Sequence, residues 1–542
     1  MFITSPPSVK SPGSAEPSSE VLAVPAETIS AGLAKDIYED GYSDPIYQAK
    51  ARILNRSIQE IGMGKYQWGL FVVAGFGWFA DSVWPLASGL ILTPVVNEFR
   101  FNSPFLSLAS NIGLFVGAIF WGLGCDIWGR RWSFNLTLLV SGAFGLAAGG
   151  SPDFVTLASL LAVVGIGVGG NMPVDPAVFL EFIPGSHQYL LTILSIWWCI
   201  GQLVSSLESV AWPLIANYSC ASADNCDRSS NMGWRYVLFV LGGLTLFCWA
   251  IRFFIFTLIE SPRFLSGIGK DVEAVEVVHR LAEYNGTTCA LTVADLQATG
   301  QSVKQGASLT AKGRRFLSKD SNFDMGHMKA LFATPKMAWS TSLLIILWGI
   351  IGLASTLYNN FLPYLLSTRG AAFGDSSLYI TYRNQVILSV MGVPSAFLAG
   401  WAVDLPYVGR KGTLSIASGD ANTIQRPLAQ NEGLTGAFLL ASTTSRTSNA
   451  LLGWNCGYAC CSNIMYGVLY ATSAEIFPAK DRGTGGALTS TASRVFGIMA
   501  PIIALYANLS TSVPVYIAGG LMIFAGSLAL LLPYEPRGKV SI

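Results

Sequence analysis

The stretch Gly122-Leu-Gly-Cys-Asp-Ile-Trp-Gly-Arg-Arg131 is a short charged turn, rich in glycine, between two long apolar runs. A similar stretch, Gly400-Trp-Ala-Val-Asp-Leu-Pro-Tyr-Val-Gly-Arg-Lys411, lies in the second half of the chain. In each stretch Asp follows the first glycine by four residues, and a Gly-Arg pair precedes a second base. Because each stretch follows a hydrophobic segment in its own half, the two indicate an internal repeat.

The composition is that of a membrane protein. The chain has 542 residues, of which 51% are hydrophobic and 12% charged, with a mean hydropathy of +0.48. A soluble domain has about 25% charged residues, so too few charges are present to cover a water-soluble surface. The net charge of +1 offers no electrostatic basis for binding nucleic acid. The three histidines are far apart and the nine cysteines show no CxxC spacing, so we expect no metal and no cofactor.

Apolar runs long enough to cross a bilayer, which takes about 20 residues, occur twelve times along the chain. The first six cover 67–95, 103–124, 132–150, 153–175, 189–216 and 234–258. The second six cover 337–366, 380–403, 413–449, 450–473, 484–507 and 513–533. The predicted fold class is an all-α membrane protein with twelve transmembrane helices in two pseudo-symmetric six-helix bundles.

Five regions follow from this count. Residues 1–60, rich in Ser, Pro, Ala and Glu at their start, are predicted to be a disordered cytosolic tail without a signal peptide. Residues 61–259 and 337–534 are the two bundles. Residues 260–336 are a polar, basic cytosolic linker with a helical pattern near its start, and 535–542 are a cytosolic C-terminal tail.

A polar stretch, 418–432, interrupts the ninth run. The interval from Asp126 to Glu181 is 55 residues, whereas the matching interval from Asp404 to Glu475 is 71. The polar stretch accounts for 15 of the extra residues, and its charges and amides do not suit hydrocarbon. It is therefore an insertion, either a true loop or an unspliced intron in the gene model.

The distribution of Lys and Arg predicts the orientation. Bases concentrate in the linker and in the loops on its side, whereas the opposite loops hold chiefly Arg100, Arg228 and Arg369. The positive-inside rule then places both termini and the linker in the cytosol, and we expect the plasma membrane rather than a vacuole. Cys220 and Cys226 share an outer loop, where a disulfide and two free thiols are both compatible with the sequence.

Further motifs resemble a known group of proteins. Glu260-Ser-Pro-Arg-Phe264 follows the sixth run, and Glu475-Ile-Phe-Pro-Ala-Lys-Asp-Arg482 follows the tenth. With the two Gly-Arg turns these motifs resemble the major facilitator superfamily, and specifically its sugar-porter-like branch. Gly167-Val-Gly-Gly-Asn-Met-Pro-Val-Asp175 is similar to synaptic-vesicle-protein-related and nicotinate-transporter-like members, including fungal ones. The resemblance implies solute transport by alternating access.

The fourth run departs from the sugar-porter pattern. Sugar porters carry an arginine there, upstream of the glycines, whereas residues 158–165 of this chain contain no base. An acid in the first helix would therefore lack that arginine as its partner.

Asp81 is the most informative single residue. It lies midway through the first run without a neighbouring charge, where a carboxylate costs roughly 2.5–3.5 kcal/mol on insertion scales. Such a group could take up and release a proton. The alternative is an Asp that is buried for packing. The resemblance favours proton coupling, because first-helix acids of this branch commonly have that role, and Glu208 in the fifth run is a second candidate.

Aromatic and amide side chains in several runs could form a binding site for a small polar solute. Rings stack on such a solute while amides bond to its hydroxyl or carboxylate groups. Each of these residues could instead serve packing or anchor a helix at the membrane interface. The candidates are Trp78, Trp197, Gln202, Asn359, Asn360, Trp454, Asn455 and Tyr466.

Charged residues at the linker side form a third group. The resemblance implies that the two Gly-Arg turns latch the outward-open state, with acids and bases of both halves as partners. Some of the bases could instead be present only because of the positive-inside rule. The predicted latch residues are Asp126, Arg130, Asp404, Arg410, Glu181, Glu475 and Arg482.

The predicted function is secondary active transport of a small polar organic solute, such as a sugar or a carboxylate-like metabolite, driven by protons. The alternative is a non-transporting receptor or sensor with the same fold. An enzyme is not expected, because the chain lacks a metal motif, a Ser–His pair and a nucleotide loop. The expected partners are the solute, protons and the lipid bilayer, without nucleic acid, and the expected state is a monomer.

Overall fold

The structure is a computed structural model, which describes residues 45–206, 218–220, 226–298, 328–329, 331–359, 378–404, 428–477, 481–506, 512–529 and 531. Within these ranges every regular element is a helix.

The described residues of the first half and the linker form twelve α-helices, interspersed with a 3₁₀ turn at Gly185–His187 and a π-helical turn at Ile251–Ile255. The α-helices are α1 (Pro45–Ile61), α2 (Lys65–Leu90), α3 (Leu92–Phe99), α4 (Pro104–Trp128), α5 (Arg130–Ala148), α6 (Phe154–Gly169), α7 (Asn171–Phe182), α8 (Leu190–Ile193), α9 (Ile196–Ser206), α10 (Gly233–Ala250), α11 (Pro262–Gly267) and α12 (Asp271–Asn285).

The described part of the second half contributes six long helices. They are α13 (Pro335–Asn359), α14 (Leu378–Asp404), α15 (Leu428–Ser442), α16 (Ser448–Ile476), α17 (Arg482–Tyr506) and α18 (Val513–Ala529).

Each of the twelve predicted apolar runs overlaps at least one of these helices. Seven helical segments of the described part are long and apolar enough to cross a membrane by length and composition alone. The fold class, an all-α membrane protein with twelve helical spans in two related bundles, is confirmed.

Packing within the two halves follows one plan. In the first half α2 packs on α9, α4 on α6 and α5 on α10. The corresponding helices of the second half, six spans later, make the same pairs. These are α13 on α17, α14 on α16 and α15 on α18. The internal repeat suggested by the two Gly-Arg turns is therefore present in the packing of the helices.

The halves meet along two equivalent seams. Helix α4 packs on α17, so the second span of the first half contacts the fifth span of the second half. Helix α9 packs on α14, so the fifth span of the first half contacts the second span of the second half. The glycines of the fourth span permit close packing within the first half, as expected. A Cβ at Gly165 would lie only 2.6 Å from the carbonyl oxygen of Ser110 in α4, so a larger residue there would push these helices apart.

Helices α1, α11 and α12 pack together at one end of the first half, which we call the linker side. An ion pair between Lys50 and Asp271 joins α1 to α12. Burial lowers the pKa of the Arg263 guanidinium in α11 to about 10. Disorder was therefore the wrong prediction for residues 45–60, which fold because α1 has an apolar face that the linker helices cover; residues 1–44 lie outside the described residues.

Two loop predictions can be compared with the structure. Cys220 and Cys226 form a disulfide, the first of the two alternatives that the sequence left open. The predicted insertion 418–432 is described only from residue 428, where α15 begins. Its last five residues are thus helical, because α15 extends one turn before the apolar part of the ninth span.

Candidate functional site

A polar cavity of about 280 Å³ lies between the two halves. Helices α2, α7 and α9 form one wall, and α13, α14, α16 and α17 form the other. Along α2 the cavity extends from Asp81 to Gly89, which is about 12 Å at 1.5 Å per residue. Since α2 starts beside the linker helix α12 and ends at Leu90, the cavity lies in the part of the bundle remote from the linker.

The carboxyl group of Asp81 lies on this cavity wall, as its position in the first run predicted. Its Oδ1 accepts a hydrogen bond of 3.4 Å from Nδ2 of Asn171 in α7. The same amide nitrogen donates to the backbone oxygen of Gly77, at 3.2 Å. Pro85, one turn after Asp81 in α2, has no N–H to donate to the Asp81 carbonyl, so the helix is weakened at this point.

Arg494 of α17 approaches the cavity from the opposite half. It also lines a smaller cavity of about 70 Å³ between α2, α4 and α6. Its Nε is buried and has no hydrogen-bond partner in the described part of the chain, and one Nη lies 3.8 Å from the sulfur of Met172. A thioether is a weak acceptor, so this guanidinium retains capacity to bind an anion. Arg494 and Asp81 are the charged residues among those described on the cavity wall.

A buried ion pair lies behind Asp81. The guanidinium of Arg252, in the π-helical turn after α10, is 3.1 Å from Oδ1 of Asp175 in α7, and both side chains are fully buried. Arg252 also donates to the backbone oxygens of Val73 in α2, at 3.0 Å, and Phe134 in α5, at 2.6 Å. A single guanidinium thus joins α2, α5 and α7, and its charge is balanced as a buried charge requires.

Amide groups line the cavity wall of the second half. Nδ2 of Asn463 in α16 donates to the backbone oxygen of Gly392, at 2.8 Å, and to the hydroxyl of Ser395, at 3.0 Å. Gln385 of α14 adds a further amide on this wall, and Gln202 of α9 adds one from the first half. These groups can donate to and accept from a polar solute.

Tyrosine hydroxyls on the same wall are held by neighbouring polar groups. The hydroxyl of Tyr466 donates to the Ser355 hydroxyl of α13, at 2.6 Å. The hydroxyl of Tyr458 donates to Oδ1 of Asn359, at 3.4 Å. Both bonds join α16 to α13, so the rings are fixed in position before any solute binds.

An aromatic layer forms the end of the cavity nearest the linker. Trp198 stacks on Trp78 with ring centres 4.5 Å apart, and Tyr470 packs edge-on to Trp198 at 4.8 Å and to Trp348 at 4.5 Å. The indole N–H of Trp348 donates to the Ser473 hydroxyl, at 2.9 Å. Rings from α2, α9, α13 and α16 thus separate the cavity from the linker side.

Four of the predicted site residues come together in the cavity. Asp81, Gln202, Asn359 and Tyr466, from four different helices, all line it. Their side chains face one space because each lies on the face of its helix that points between the halves.

Trp78 and Asn455 lie behind the wall instead of on it. Trp78 is covered by Trp198, and Asn455 is 1% exposed and accepts a hydrogen bond from the Tyr358 hydroxyl. Neither residue is therefore among those that line the described cavity.

Trp197 and Trp454 point elsewhere. Trp197 packs edge-on to Phe76 of α2, and Trp454 is 39% exposed on the outer side of α16 beside Phe438. Trp197 precedes Trp198, which does line the cavity, and one residue of an α-helix is a rotation of about 100°. Neither Trp197 nor Trp454 is therefore among the residues that line the described cavity.

Five predicted site residues cannot be located relative to the cavity or the linker side. Glu208, Asn360 and Arg410 lie outside the described residues, and so do the side chains of Asp126 and Asp404.

The remaining latch candidates are buried at the linker side. Arg130, at the start of α5, forms an ion pair with Glu181 at the end of α7, within the first half. In the second half, Glu475 is 1% and Arg482 2% exposed, and Nε of Arg482 donates to the backbone oxygen of Ala474, at 2.7 Å. Burial of these charges shows that they do more than satisfy the positive-inside rule, since that rule needs only exposed bases.

The sequence reasoning missed three residues: Arg494, which is the cavity's only described base, and Asp175 and Arg252, which form the buried pair. Trp198 and Asn463, which belong to the same aromatic and amide sets as the predicted residues, also line the cavity. Arg252 and Arg494 lie within long apolar runs, where an ionisable residue is by default a functional candidate. Applying that rule to bases as well as acids would have found both.

Comparisons with known proteins agree with this geometry. Residues 100–537 match the family model described as "Sugar (and other) transporter". A protein of Ceriporiopsis subvermispora named MFS siderochrome iron transporter 1 is 67% identical over 508 residues, covering 94% of each chain. The niacin transporter NiaP of Acinetobacter baylyi is 24% identical, covering 82% of this chain and 88% of that protein. The solved proton:xylose symporter XylE superposes with a TM-score of 0.64 at 18% identity, over 88% of this chain and 98% of that one.

Proposed function

The chain belongs to the sugar (and other) transporter family of the major facilitator superfamily, and on this premise we propose that it moves a small organic anion, coupled to protons, through the central cavity. The supporting observation is that Asp81 and Arg494, from opposite halves, are the charged residues described on one cavity wall. When Asp81 carries a proton, Arg494 is the remaining charge and attracts an anion. When Asp81 loses its proton, its carboxylate competes with that anion for Arg494.

Both walls would contribute rings and amides to the binding of such a solute. Rings such as Trp198 and Tyr466 stack on its apolar part, while Gln202, Gln385 and Asn463 bond to its polar groups. One relative is named for niacin, an aromatic carboxylate, which fits this chemistry. Because both walls come from one chain, a monomer suffices as the transport unit.

The orientation belongs to the same proposal. With the linker side in the cytosol, as the Lys and Arg distribution predicts, the cavity lies toward the outside and the aromatic layer closes its cytosolic end. The structure then corresponds to a state that accepts solute from outside, in the plasma membrane.

Uptake of a labelled panel by cells with and without the protein, at acidic and neutral pH, tests the function. The panel contains nicotinate, xylose and a ferric siderophore. We expect accumulation of the carboxylate that increases at acidic pH, and Asp81→Asn should abolish uphill accumulation while preserving exchange. Normal accumulation by that variant would refute the coupling role, and no uptake of any solute by the parent would favour a receptor.

A second candidate is transport of an iron chelate. It rests on the 67% identity to the protein named as a siderochrome iron transporter. The ferric siderophore in the panel decides between the two, because uptake of labelled iron without uptake of nicotinate would establish the second candidate.

A further inference from the structure

The fourth span consists of two consecutive helices that meet beside Asp81. Helix α6 ends at Gly169 and α7 begins at Asn171, with Gly170 between them. The Asn171 side chain is fully buried, and its Nδ2 donates to both the Gly77 backbone oxygen and Asp81 Oδ1. Its Oδ1 has no hydrogen-bond partner in the described part of the chain. The Asn171 amide therefore connects α7 to α2 at Asp81.

The residue after Asn171 contacts the other half. The Ser490 hydroxyl of α17 donates to the sulfur of Met172, at 3.2 Å, and Arg494 lies 3.8 Å from the same sulfur. A Cβ at Gly486 would lie 3.5 Å from the Cβ of Pro173, so α7 and α17 are in close contact here. A shift of α7 at Asn171 must therefore disturb the contact between the halves on the linker side of the cavity.

We propose that Asn171 is the positioning residue through which the proton on Asp81 controls the contact between α7 and α17. The inference rests on the proposed function, in that it takes Asp81 as the residue that binds the proton.

The physical reason is the asymmetry of an amide. An ionised Asp81 only accepts hydrogen bonds, and the Asn171 NH₂ group serves it and Gly77 together. A protonated Asp81 donates through its O–H, for which the free Oδ1 of Asn171 is the acceptor. Rotating the amide to use Oδ1 removes the NH₂ group from Gly77 and brings two oxygens together there. Protonation thus breaks a bond between α2 and α7.

The ion pair of Arg252 and Asp175 confines the loss of contact between α2 and α7 to the region of Asn171. Arg252 holds Asp175 one turn further along α7 and also holds α2 and α5. Asp81 is taken as the carboxyl that changes state because it is the acid that reaches the cavity, whereas Asp175 is fully buried and paired with Arg252. The charged and titratable groups around Asp81 are Asp175 of α7, Cys199 of α9, Arg252 after α10, Tyr466 and Tyr470 of α16, and Arg494 of α17.

The experiment needs no known solute. Ile193 of α8 and Gly400 of α14 face each other across the second seam, on the linker side, and a Cβ at Gly400 would lie 3.7 Å from that of Ile193. Disulfides have a mean Cβ–Cβ distance of about 3.8 Å. In the full chain with Ile193→Cys and Gly400→Cys, copper-phenanthroline cross-linking in membranes reports closure of the linker side. A protease site is inserted in the linker, so that after cleavage the two halves stay together on a non-reducing gel only if the disulfide has formed. Variants with only one of the two introduced cysteines measure the background from the native cysteines.

We expect less cross-linking at about pH 5 than at about pH 8, by at least about threefold, because protonation of Asp81 shifts the equilibrium between the two states. Asn171→Leu and the smaller Asn171→Ala should both make the yield independent of pH, as should Asp81→Asn. The matched control is Asn135→Leu in α5, which removes another buried amide of the first half, one that donates to the Arg131 backbone oxygen of its own helix, and should keep the pH dependence. A variant that cross-links at alkaline pH is shown to be folded.

The outcomes separate the two proposals. If both Asn171 variants keep the pH dependence of the parent while Asp81→Asn loses it, the inference is wrong and the coupling role of Asp81 stands. If Asp81→Asn also keeps it, the coupling role itself is wrong. Loss of the pH dependence in Asn135→Leu would show that removal of any buried amide has this effect and would overturn the special role of Asn171.

Discussion

The two halves of the bundle pack their helices in the same order but line the cavity with different chemistry. The first half supplies the acid Asp81, backed by Asn171 and the buried pair of Asp175 and Arg252. The second half supplies amides, hydroxyls and rings, together with Arg494. The backbone packing depends on small and apolar residues along whole helices, whereas a binding site depends on a few positions. A duplicated scaffold can therefore keep its geometry while each half places different side chains on the shared cavity, with the acid on the first half and the base on the second.

The largest effect is expected from the buried pair of the first half. Arg252→Met leaves Asp175 buried and uncompensated, which should cost about 3–5 kcal/mol of stability. Thermal unfolding of the purified protein and its abundance in membranes measure this loss. Arg252→Met combined with Asp175→Leu should recover much of it. Arg56→Met, which breaks an exposed ion pair in α1, is the matched control and should have little effect.

If the single Arg252 variant were as stable as the parent, the pair would not be the fixed support for α7 that the first half requires.

The next effect concerns the base of the second half. Arg494→Gln removes charge-assisted hydrogen bonds to an anion, worth about 1.5–3 kcal/mol, so kcat/KM for nicotinate, or for the panel anion that is transported, should fall roughly 10- to 100-fold. Arg494→Lys keeps the charge but loses the planar fork, so its loss should be smaller. Equal uptake by the parent and the Gln variant would remove Arg494 from the solute site.

A pH-dependent effect is expected at the end of the first half remote from the linker. Burial raises the pKa of Glu98, but hydrogen bonds from Arg235, Trp234 and Asn231 outweigh burial and hold the pKa below its ordinary value. The bond lengths from these donors run from 2.6 to 3.0 Å. Because the folded-state pKa is the lower one, the stabilisation is present above the unfolded-state pKa and is lost as the pH falls through the folded-state value.

Glu98→Gln should therefore lower the melting temperature at neutral pH, by the equivalent of about 1–2 kcal/mol. The difference from the parent should shrink below about pH 4.3, the ordinary pKa of a glutamate. Melting curves over a pH series measure it. A difference that stayed constant down to the lowest pH would show that packing, and not the charge, is what the variant loses.

The smallest effect is expected from a single hydroxyl of the solute wall. Tyr466→Phe removes the bond to Ser355 and leaves the ring, so the cost is about 1 kcal/mol and KM should rise by no more than about fivefold. The pH dependence of uptake should not change, because the proton is handled in the other half. A changed pH profile in this variant would contradict the division of roles between the halves.

Several parts of this organisation could be predicted from the sequence. Twelve apolar runs and two Gly-Arg turns predict the fold, because span length and loop chemistry are properties of local sequence. Asp81 could be identified because a lone carboxyl in an apolar run is costly to bury and therefore indicates a functional position. The choice between Trp197 and Trp198 could not be made in the same way, since it depends on which face of α9 is turned toward α2.

What the sequence by itself determined was the number and length of the spans, their duplication, and the presence of one acid at mid-membrane depth, because hydrophobicity and charge are read residue by residue. The tertiary structure decided which residues meet. Arg494 is more than 400 residues from Asp81 along the chain and reaches the same cavity only because α17 packs across the first half. Contacts of this kind depend on helix rotation and packing angle, and these are set by the whole bundle.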